Sequence, residues 1–330
     1  MSDPLPVITV LCSPADSEVS HHVPPGLERL AGRAEVRCVQ ADELGPALRG
    51  ADALFLWHAF SRDVAEVWNQ ADALQWIHVS AAGVDKLLFE ELVESEVTVT
   101  NAQGVFDRPI AEWVLGAILA EAKQFALGYR HKSEKRWQHR ETARVTGTTA
   151  LVIGTGAIGR EIARLLRAVG IEVRGVGRRA RTQDEDFGEV FSSDELAAHV
   201  GWADTVVNAA PLTPATRGLI SAEVLAAMKP GAHLVNIGRG EHVDEPALVS
   251  ALKNGPVGFA SLDVFATEPL PADSELWELE NVLISPHMSG DVVGWRPALA
   301  EQFLDNAERW LAGEPLRNVV DKRKGYVPRH

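Results

Sequence analysis

The stretch TALVIGTGAIGREIARLLRAVG, residues 149–170, constrains the fold more than any other part of the chain. A five-residue apolar run enters Gly154, Gly156 and Gly159, which stand in the pattern G-x-G-x-x-G. An amphipathic stretch leaves it, with Ile162, Leu165, Leu166 and Val169 on one helical stripe and Gly170 as the stop. Strand, glycine turn and helix in direct succession make the first βαβ turn of a parallel, doubly wound sheet. Gly154 permits the tight turn, Gly156 lets backbone amides approach a pyrophosphate, and Gly159 lets the helix pack close to the strand. The helix N-terminus offers unpaired N–H groups and partial positive charge to phosphates. A glycine-rich turn with no ligand is the plainer alternative, and the flanking strand and helix argue against it.

The rest of the chain repeats the theme. Early strands are expected at VITVLCS (7–13), AEVRCV (34–39), ADALFLWH (51–58) and LQWIHVS (74–80). A helix is expected over 107–125, with Asp107 as cap, Pro109 in its first turn, and Ile110, Trp113, Val114, Ala117 and Ile118 facing inward. After TALVI (149–153), strands are expected at EVRGVG (172–177), EVF (189–191), TVVNAA (205–210), HLVNI (233–237), GFASLDV (258–264) and VLIS (282–285). A last helix, about 296–311, has Leu299, Phe303, Ala307, Trp310 and Leu311 on one face. Apolar runs alternating with helical patterns mean an α/β fold with parallel sheets. The chain reads as two α/β units, the second inserted into the first if the last helix returns to the N-terminal unit. With 330 residues there is length for two cores.

Charge excludes some partners and frames the cofactor. The net charge of −14 disfavours nucleic acid. No apolar run approaches the roughly 20 residues that cross a bilayer, and the N-terminus lacks a leader pattern, so a soluble cytoplasmic protein is expected. Cys12 and Cys38 make neither a disulfide framework nor a metal spacing. In a dinucleotide site, an acid about 20 residues past the glycine turn usually holds the adenosine ribose. Glu172 opens its strand instead of closing it, on the wrong edge for a ligand. Gly177 holds the right place, and Arg178, Arg179 and Arg181 follow. An arginine there can pair with a ribose 2′-phosphate, and a glycine makes room for it. In so acidic a chain, positive charge concentrated beside a phosphate site reads as NADP(H) preference, with NAD(H) still possible. A solvated basic loop is the alternative.

Three further stretches carry chemistry. VNIGRGEHVDEPALVSAL offers Arg239, SLDVFATEPLP offers Asp263 and Glu268, and VLISPHMSG offers His287. All follow strands of the second unit, so they can converge with the cofactor at one sheet edge. Reducing a 2-oxo acid needs a cation for the carboxylate, a proton donor for the carbonyl oxygen, and a hydride. Arginine provides the fork, histidine the proton, and a neighbouring carboxylate orients the ring and favours its charged form. Taken singly, each residue also reads as a surface charge, a structural histidine or a turn residue.

Together, GTGAIG, NIGRGEHVDEPALVSAL, LDVFATEPLP and NVLISPH resemble, in order and separation, the signatures of the D-isomer-specific 2-hydroxyacid dehydrogenases. VSAAGVDKLL (79–88) and VTNAQGVFDRPIAEWVL (99–115) resemble that family's substrate loop and interdomain helix. The resemblance covers nearly the whole chain. It implies two Rossmann-like or flavodoxin-like doubly wound parallel-sheet domains with an interdomain cleft. Residues 1–103 plus 292–330 would form the substrate domain, and 104–291 the dinucleotide-binding domain. It further implies that Arg239 holds the substrate carboxylate and carbonyl oxygen, that His287 is the general acid in reduction and base in oxidation, and that Glu268 pairs with His287. The backbone at Ala82 and Gly83 would bind the carboxylate. Gly154, Gly156, Ala157, Ile158, Gly159, Arg178 and Arg179 would hold the cofactor's phosphates. Pro211, Thr216, Ile237, Asp263 and Gly290 would line the rest, with Asp263 on the nicotinamide carboxamide. Most members are homodimers through the cofactor domain.

LFLWHAF (54–60) and the GRRAR loop resemble the NADPH-preferring glyoxylate/hydroxypyruvate reductase branch. There Trp57 would line the pocket, with burial in the core as the alternative. The chain departs from the common pattern at Gly177, which replaces an acid, and after His287, where Met288-Ser289-Gly290 and DVVGWRP follow. Trp295 or Arg296 in that segment would set side-chain specificity. The expected activity is NADPH-dependent reduction of a small 2-oxo acid such as glyoxylate or hydroxypyruvate. The rival is a dinucleotide-sensing corepressor of the same fold, which an NADP preference and the lack of a tail after residue 330 disfavour. Glu268, where formate dehydrogenase-like proteins carry Gln, and the lack of room for a regulatory domain disfavour two further enzyme classes.

Overall fold

The computed structural model describes residues 4–14, 21–58 and 63–328. Ala59 and Phe60, at the end of LFLWHAF, lie outside them. The chain divides into two compact units, one of residues 1–106 with 293–330 and the other of residues 107–292. Both are parallel-sheet α/β domains.

The first unit is built on β1 (Val7–Leu11), β2 (Glu35–Val39), β3 (Ala53–Leu56), β4 (Trp76–Val79) and β5 (Thr98–Asn101), in the order β2-β1-β3-β4-β5. All neighbours pair in parallel. This is the doubly wound order with its switch between β1 and β3. β3 and β4 are buried along their whole length, as strands covered on both faces must be. The C-terminal helix Trp295–Leu311 belongs to this unit. Its Phe303 ring stacks on Phe55 of β3, with centroids 3.9 Å apart, and lies 5.6 Å from Trp76 of β4. Residues 107–292 are thus an insertion within the first unit.

The second unit contains β6 (Thr149–Ile153), β7 (Glu172–Gly177), β8 (Arg181–Asp184), β9 (Gly188–Ser192), β10 (Thr205–Asn208), β11 (Ala232–Asn236), β12 (Val257–Leu262) and β13 (Val282–Ile284). Their order is β13-β12-β11-β10-β6-β7-β9-β8, parallel except for the edge strand β8. The chain switches direction across the sheet between β6 and β10, the place where such sheets bind ligands at their carboxyl edge. Helix Asp107–Ala122 buries Ile110, Ala111, Val114, Ala117 and Ile118, whereas Trp113 stays partly exposed. Helix Ala157–Ala168 buries Ile162, Ala163 and Leu166. Gly170, at φ 83°, closes it as expected, since Gly170 N–H and Ile171 N–H cap the carbonyls of Arg167 and Leu166.

Candidate active site

The glycine turn leaves β6 at Gly154, whose φ of 99° suits glycine. A Cβ there would come within 2.6 Å of the Ala209 carbonyl after β10, so the turn is also pressed against its neighbour. Gly156 is different. Its backbone, φ −78° and ψ −165°, is open to any residue, and a Cβ on it would have no protein atom within 4 Å. Neither conformation nor packing within the chain calls for glycine there. A pyrophosphate brought to the amides of Ala157, Ile158 and Gly159 at the start of the following helix does. The residues present therefore fit a dinucleotide.

The basic stretch after β7 is a loop at Arg178 and Arg179, as expected, but Arg181 belongs to a strand. Arg181–Asp184 form β8, a hairpin partner of β9. Arg181 Nε donates to Asp184 Oδ2 at 2.8 Å, and Arg160 donates to both Asp184 oxygens at 2.8 and 2.9 Å and to Asp186 at 2.6 Å. The Arg160 guanidinium, joined by Arg181, holds the Asp184 carboxyl far below the usual carboxylate range. Arg181 is thus committed inside the hairpin, while Arg178 and Arg179 are exposed at the carboxyl end of β7. The space left by Gly177 is shared with the glycine turn, since a Cβ there would lie 3.1 Å from Thr155 Oγ1.

The carboxyl ends of β11, β12 and β13 carry the remaining groups. His287 Nδ1 and Glu268 Oε2 are 2.8 Å apart, and both side chains are about one quarter exposed. Glu268 Oε1 also accepts from Phe265 N–H at 3.1 Å, which fixes its second oxygen. His287 has a φ of 53°, and its N–H donates to Asp263 O at 2.8 Å. The Asp263 side chain, only 1% exposed, accepts from Ser285 Oγ at 2.6 Å and from the amides of Met288 and Ser289 at 2.9 to 3.1 Å. Asp263 therefore clamps the loop that carries His287. Arg239 stands after β11 with an extended backbone, and its Nη1 donates to Gly238 O at 2.8 Å. The next residue, Gly240, lies so close to Phe265 that a Cβ would fall 1.8 Å from that residue's carbonyl carbon. The turn bearing Arg239 is thereby seated on the loop bearing Glu268.

Pro211 and Thr216 share a loop after β10, where Thr216 Oγ1 donates to Pro211 O at 2.7 Å. Ile237 is buried beside it, its N–H on Asn208 O at 3.1 Å, and Gly290 is buried after the His287 loop. In the first unit, Ala82 and Gly83 form the loop after β4, held by Asn101 Nδ2 on Ala82 O at 2.5 Å. Trp57 is 2% exposed, and its Nε1 donates to His21 O at 2.7 Å. The Arg296 guanidinium lies 4.3 Å from the Trp57 ring and donates to Ser13 Oγ and His21 O. Both side chains are packed within that unit.

The sequence did not point to the polar network beneath Arg239. Asn208, Asn236 and His242 are fully buried on three separate segments. Asn208 Nδ2 donates to Asn236 Oδ1 at 2.8 Å and lies 3.0 Å from His242 Nδ1. Burial pushes the His242 imidazole below its ordinary pKa, so the ring is neutral. The one available signal was its position three residues after Arg239, where a side chain can reach back to cap the turn.

A doubly wound sheet with a glycine turn, and with an acid–imidazole pair and an arginine on the same edge, defines a dinucleotide-dependent oxidoreductase. Residues 115–289 match the family model described as D-isomer specific 2-hydroxyacid dehydrogenase, NAD binding domain. The chain is 34% identical over 261 residues to the hydroxyphenylpyruvate reductase of Plectranthus scutellarioides, covering 78% of this chain and 81% of the relative. It is similar in structure to the NADPH-dependent glyoxylate/hydroxypyruvate reductase of Sinorhizobium meliloti, solved with NADP and sulfate. There the TM-score is 0.83, with 28% identity over 98% of this chain and all of that one. A D-isomer specific 2-hydroxyacid dehydrogenase of Xanthobacter autotrophicus, solved with NADPH and MES, gives a TM-score of 0.79 at 29% identity, covering 98% and 100%. The chain belongs to the D-isomer specific 2-hydroxyacid dehydrogenase family and is an NAD(P)-dependent enzyme of that class. Among the described residues, no helix is long and apolar enough to cross a membrane.

Proposed function

We propose that the chain reduces a small 2-oxo acid, such as glyoxylate or hydroxypyruvate, to the D-2-hydroxy acid with a preference for NADPH. The observation that carries this reading is the 2.8 Å Glu268–His287 pair on the carboxyl edge that also bears the glycine turn. Glu268 takes the Nδ1 side of the ring, which leaves Nε2 to face the substrate. Arg239 holds the carboxylate and the carbonyl oxygen, and His287 gives its proton to that oxygen as charge develops. In oxidation the same nitrogen takes the proton back. When bound, NADPH supplies the hydride. Gly154, Gly156, Ala157, Ile158 and Gly159 are assigned to the pyrophosphate, and Arg178 and Arg179 to the 2′-phosphate. Pro211, Thr216, Ile237, Asp263 and Gly290 are assigned to the rest of the cofactor, and the backbone of Ala82 and Gly83 to the substrate carboxylate.

The NADP and NADPH in the two structural neighbours support the cofactor preference, as does Gly177 in place of an acid. Trp57 is assigned to backing Arg296 from within the first unit, given its burial. The test is steady-state reduction of a panel of 2-oxo acids with NADPH and NADH in parallel, repeated with His287→Ala. The expected result is turnover of glyoxylate or hydroxypyruvate, higher kcat/KM with NADPH, and a loss of at least a hundredfold in the variant. A strong NADH preference overturns the arginine assignment. A His287→Ala variant within a few fold of wild type overturns the catalytic one. Cofactor binding without turnover of any acid supports the corepressor.

A further inference from the structure

We infer that His242 is a positioning residue for Arg239, acting as a neutral imidazole whose bare Nδ1 holds the Arg239 backbone. The inference rests on the reading of Arg239 as the substrate-carboxylate residue and deepens it.

Two N–H donors converge on His242 Nδ1, the Arg239 amide at 3.0 Å and Asn208 Nδ2 at 3.0 Å. The Asn208 orientation is set independently. Its Nδ2 donates to Asn236 Oδ1 at 2.8 Å and its Oδ1 accepts from Ala210 N–H at 3.3 Å. Nδ1 also lies 3.1 Å from Arg239 O, but that oxygen already accepts from Asn236 Nδ2, and a nitrogen met by two N–H donors has no room for a proton of its own, so the ring proton is on Nε2. That nitrogen lies 3.3 Å from Pro211 O, to which it donates. Pro211 O also accepts from Thr216 Oγ1, so both of its lone pairs are used.

The other half of the Arg239 backbone is held as well. Arg239 O accepts from Asn236 Nδ2 at 3.1 Å, and Asn236 Oδ1 takes Gly238 N–H at 3.2 Å. Gly238 fits because it has no side chain, as a Cβ would lie 2.8 Å from Asn208 Nδ2 and 3.0 Å from His242 Nδ1. The residue expected to bind the substrate therefore sits on a buried and mutually satisfied polar floor, anchored at β10, β11 and the turn Gly240–His242. An arginine fork is planar and rigid, but it rides on a flexible stem, so its aim depends on the backbone that carries it. The ring also joins that backbone to the Pro211 loop, which is assigned to the cofactor.

Two substitutions separate the two ring nitrogens. His242→Asn places an amide oxygen where Nδ1 was and drops the contact with Pro211. His242→Gln reaches the Nε2 position and leaves the Arg239 amide without its acceptor. Both variants, with Arg239→Ala as control, are assayed with glyoxylate at saturating NADPH. NADPH affinity is read by fluorescence titration and folding by thermal unfolding. The glyoxylate KM is expected to rise at least tenfold in His242→Gln and to stay within threefold of wild type in His242→Asn. NADPH affinity is expected to weaken in His242→Asn and to be kept in His242→Gln. A glyoxylate KM for His242→Gln within threefold of wild type, or equal damage in both variants, overturns the inference. If Arg239→Ala turns over normally, the reading of Arg239 itself fails. If Arg239→Ala is inactive while His242→Gln is unaffected, only the role of His242 fails.

Discussion

Glu268 Oε2 lies 2.8 Å from His287 Nδ1, and Glu268 Oε1 accepts from the Phe265 amide. Glu268→Gln keeps the size of the side chain and one acceptor for the Phe265 amide, but it turns an NH2 donor towards Nδ1 and removes the charge that supports an imidazolium. The expected loss in kcat/KM is on the order of 10- to 100-fold, below what removing a general acid–base group outright would cost, with little change in NADPH affinity. A variant within twofold of wild type would make the pair merely structural. Gly156 offers a complementary test on the cofactor side. Nothing in the protein lies within 4 Å of a Cβ there, so Gly156→Val is expected to leave the unfolding midpoint within a few degrees of wild type. NADPH binding, followed by fluorescence, is expected to weaken at least tenfold because the side chain enters the phosphate's path. The placement of Arg239, Glu268 and His287 was legible in the sequence, because each stands in a motif that follows an apolar run, and they lie after β11, β12 and β13. His242 stood in the same motif and was passed over. Its partner Asn208 lies 34 positions away and Asn236 on another strand, and no local spacing encodes a contact that the sheet order creates. Nor does residue type reveal which histidine is which. His78 and His233 are buried, with burial pushing each down to about 3, while His287 is partly exposed.

The elements most fully read were those with a strong apolar signal between glycines. TALVI and EVRGVG are β6 and β7 as expected, to the residue. Among the elements not anticipated were β5, β8 and the helix Phe125–Ser133. Residues 181–184, RTQD, contain no apolar side chain, and β8 forms because ion pairs and a parent strand hold it at the sheet edge. The β8–β9 hairpin consequently makes its own prediction. Asp184 and Arg160 are 5% and 11% exposed at the side chain, and removing Asp184 leaves Arg160 with Asp186 as its carboxylate partner. Asp184→Ala is expected to cost about 2 kcal/mol in urea unfolding, less than breaking a buried pair outright because Asp186 still compensates the charge. The pH dependence has a definite sign. The folded-state pKa of Asp184 is depressed by Arg160, so the pairing stabilises fully above the unfolded carboxylate value of about 3.9. That stabilisation is lost progressively as pH falls below it. Between pH 5 and pH 3, wild type is expected to lose more stability than the variant, so the two urea midpoints converge. Parallel midpoints across that range would show that the pair contributes nothing. The variant also releases Arg181, and a change in its NADPH-to-NADH ratio would show that the hairpin helps to frame Arg178 and Arg179.

At the scale of the molecule, the dinucleotide unit carries an apolar surface that its own fold does not cover. Helix Phe125–Ser133 presents Phe125 and Tyr129, four residues apart on one face and 54% and 74% exposed. Trp137, in the irregular stretch that follows, is fully exposed. Single exposed apolar residues are ordinary, whereas three large aromatic side chains within thirteen positions lead us to predict an association surface. A second copy of the chain is the expected occupant, because closed two-fold pairing is the commonest way for a soluble chain to cover such a face. The prediction is a dimer at micromolar concentration by sedimentation equilibrium. Tyr129→Glu with Trp137→Glu is expected to shift the population to monomer with an unchanged far-ultraviolet circular dichroism spectrum, since both side chains stand clear of the core. A charge placed at the centre of an apolar interface has no partner and loses its water, so each substitution opposes association directly. A monomeric wild type at tens of micromolar, or a double variant that still dimerises, would assign the aromatic face to something other than self-association.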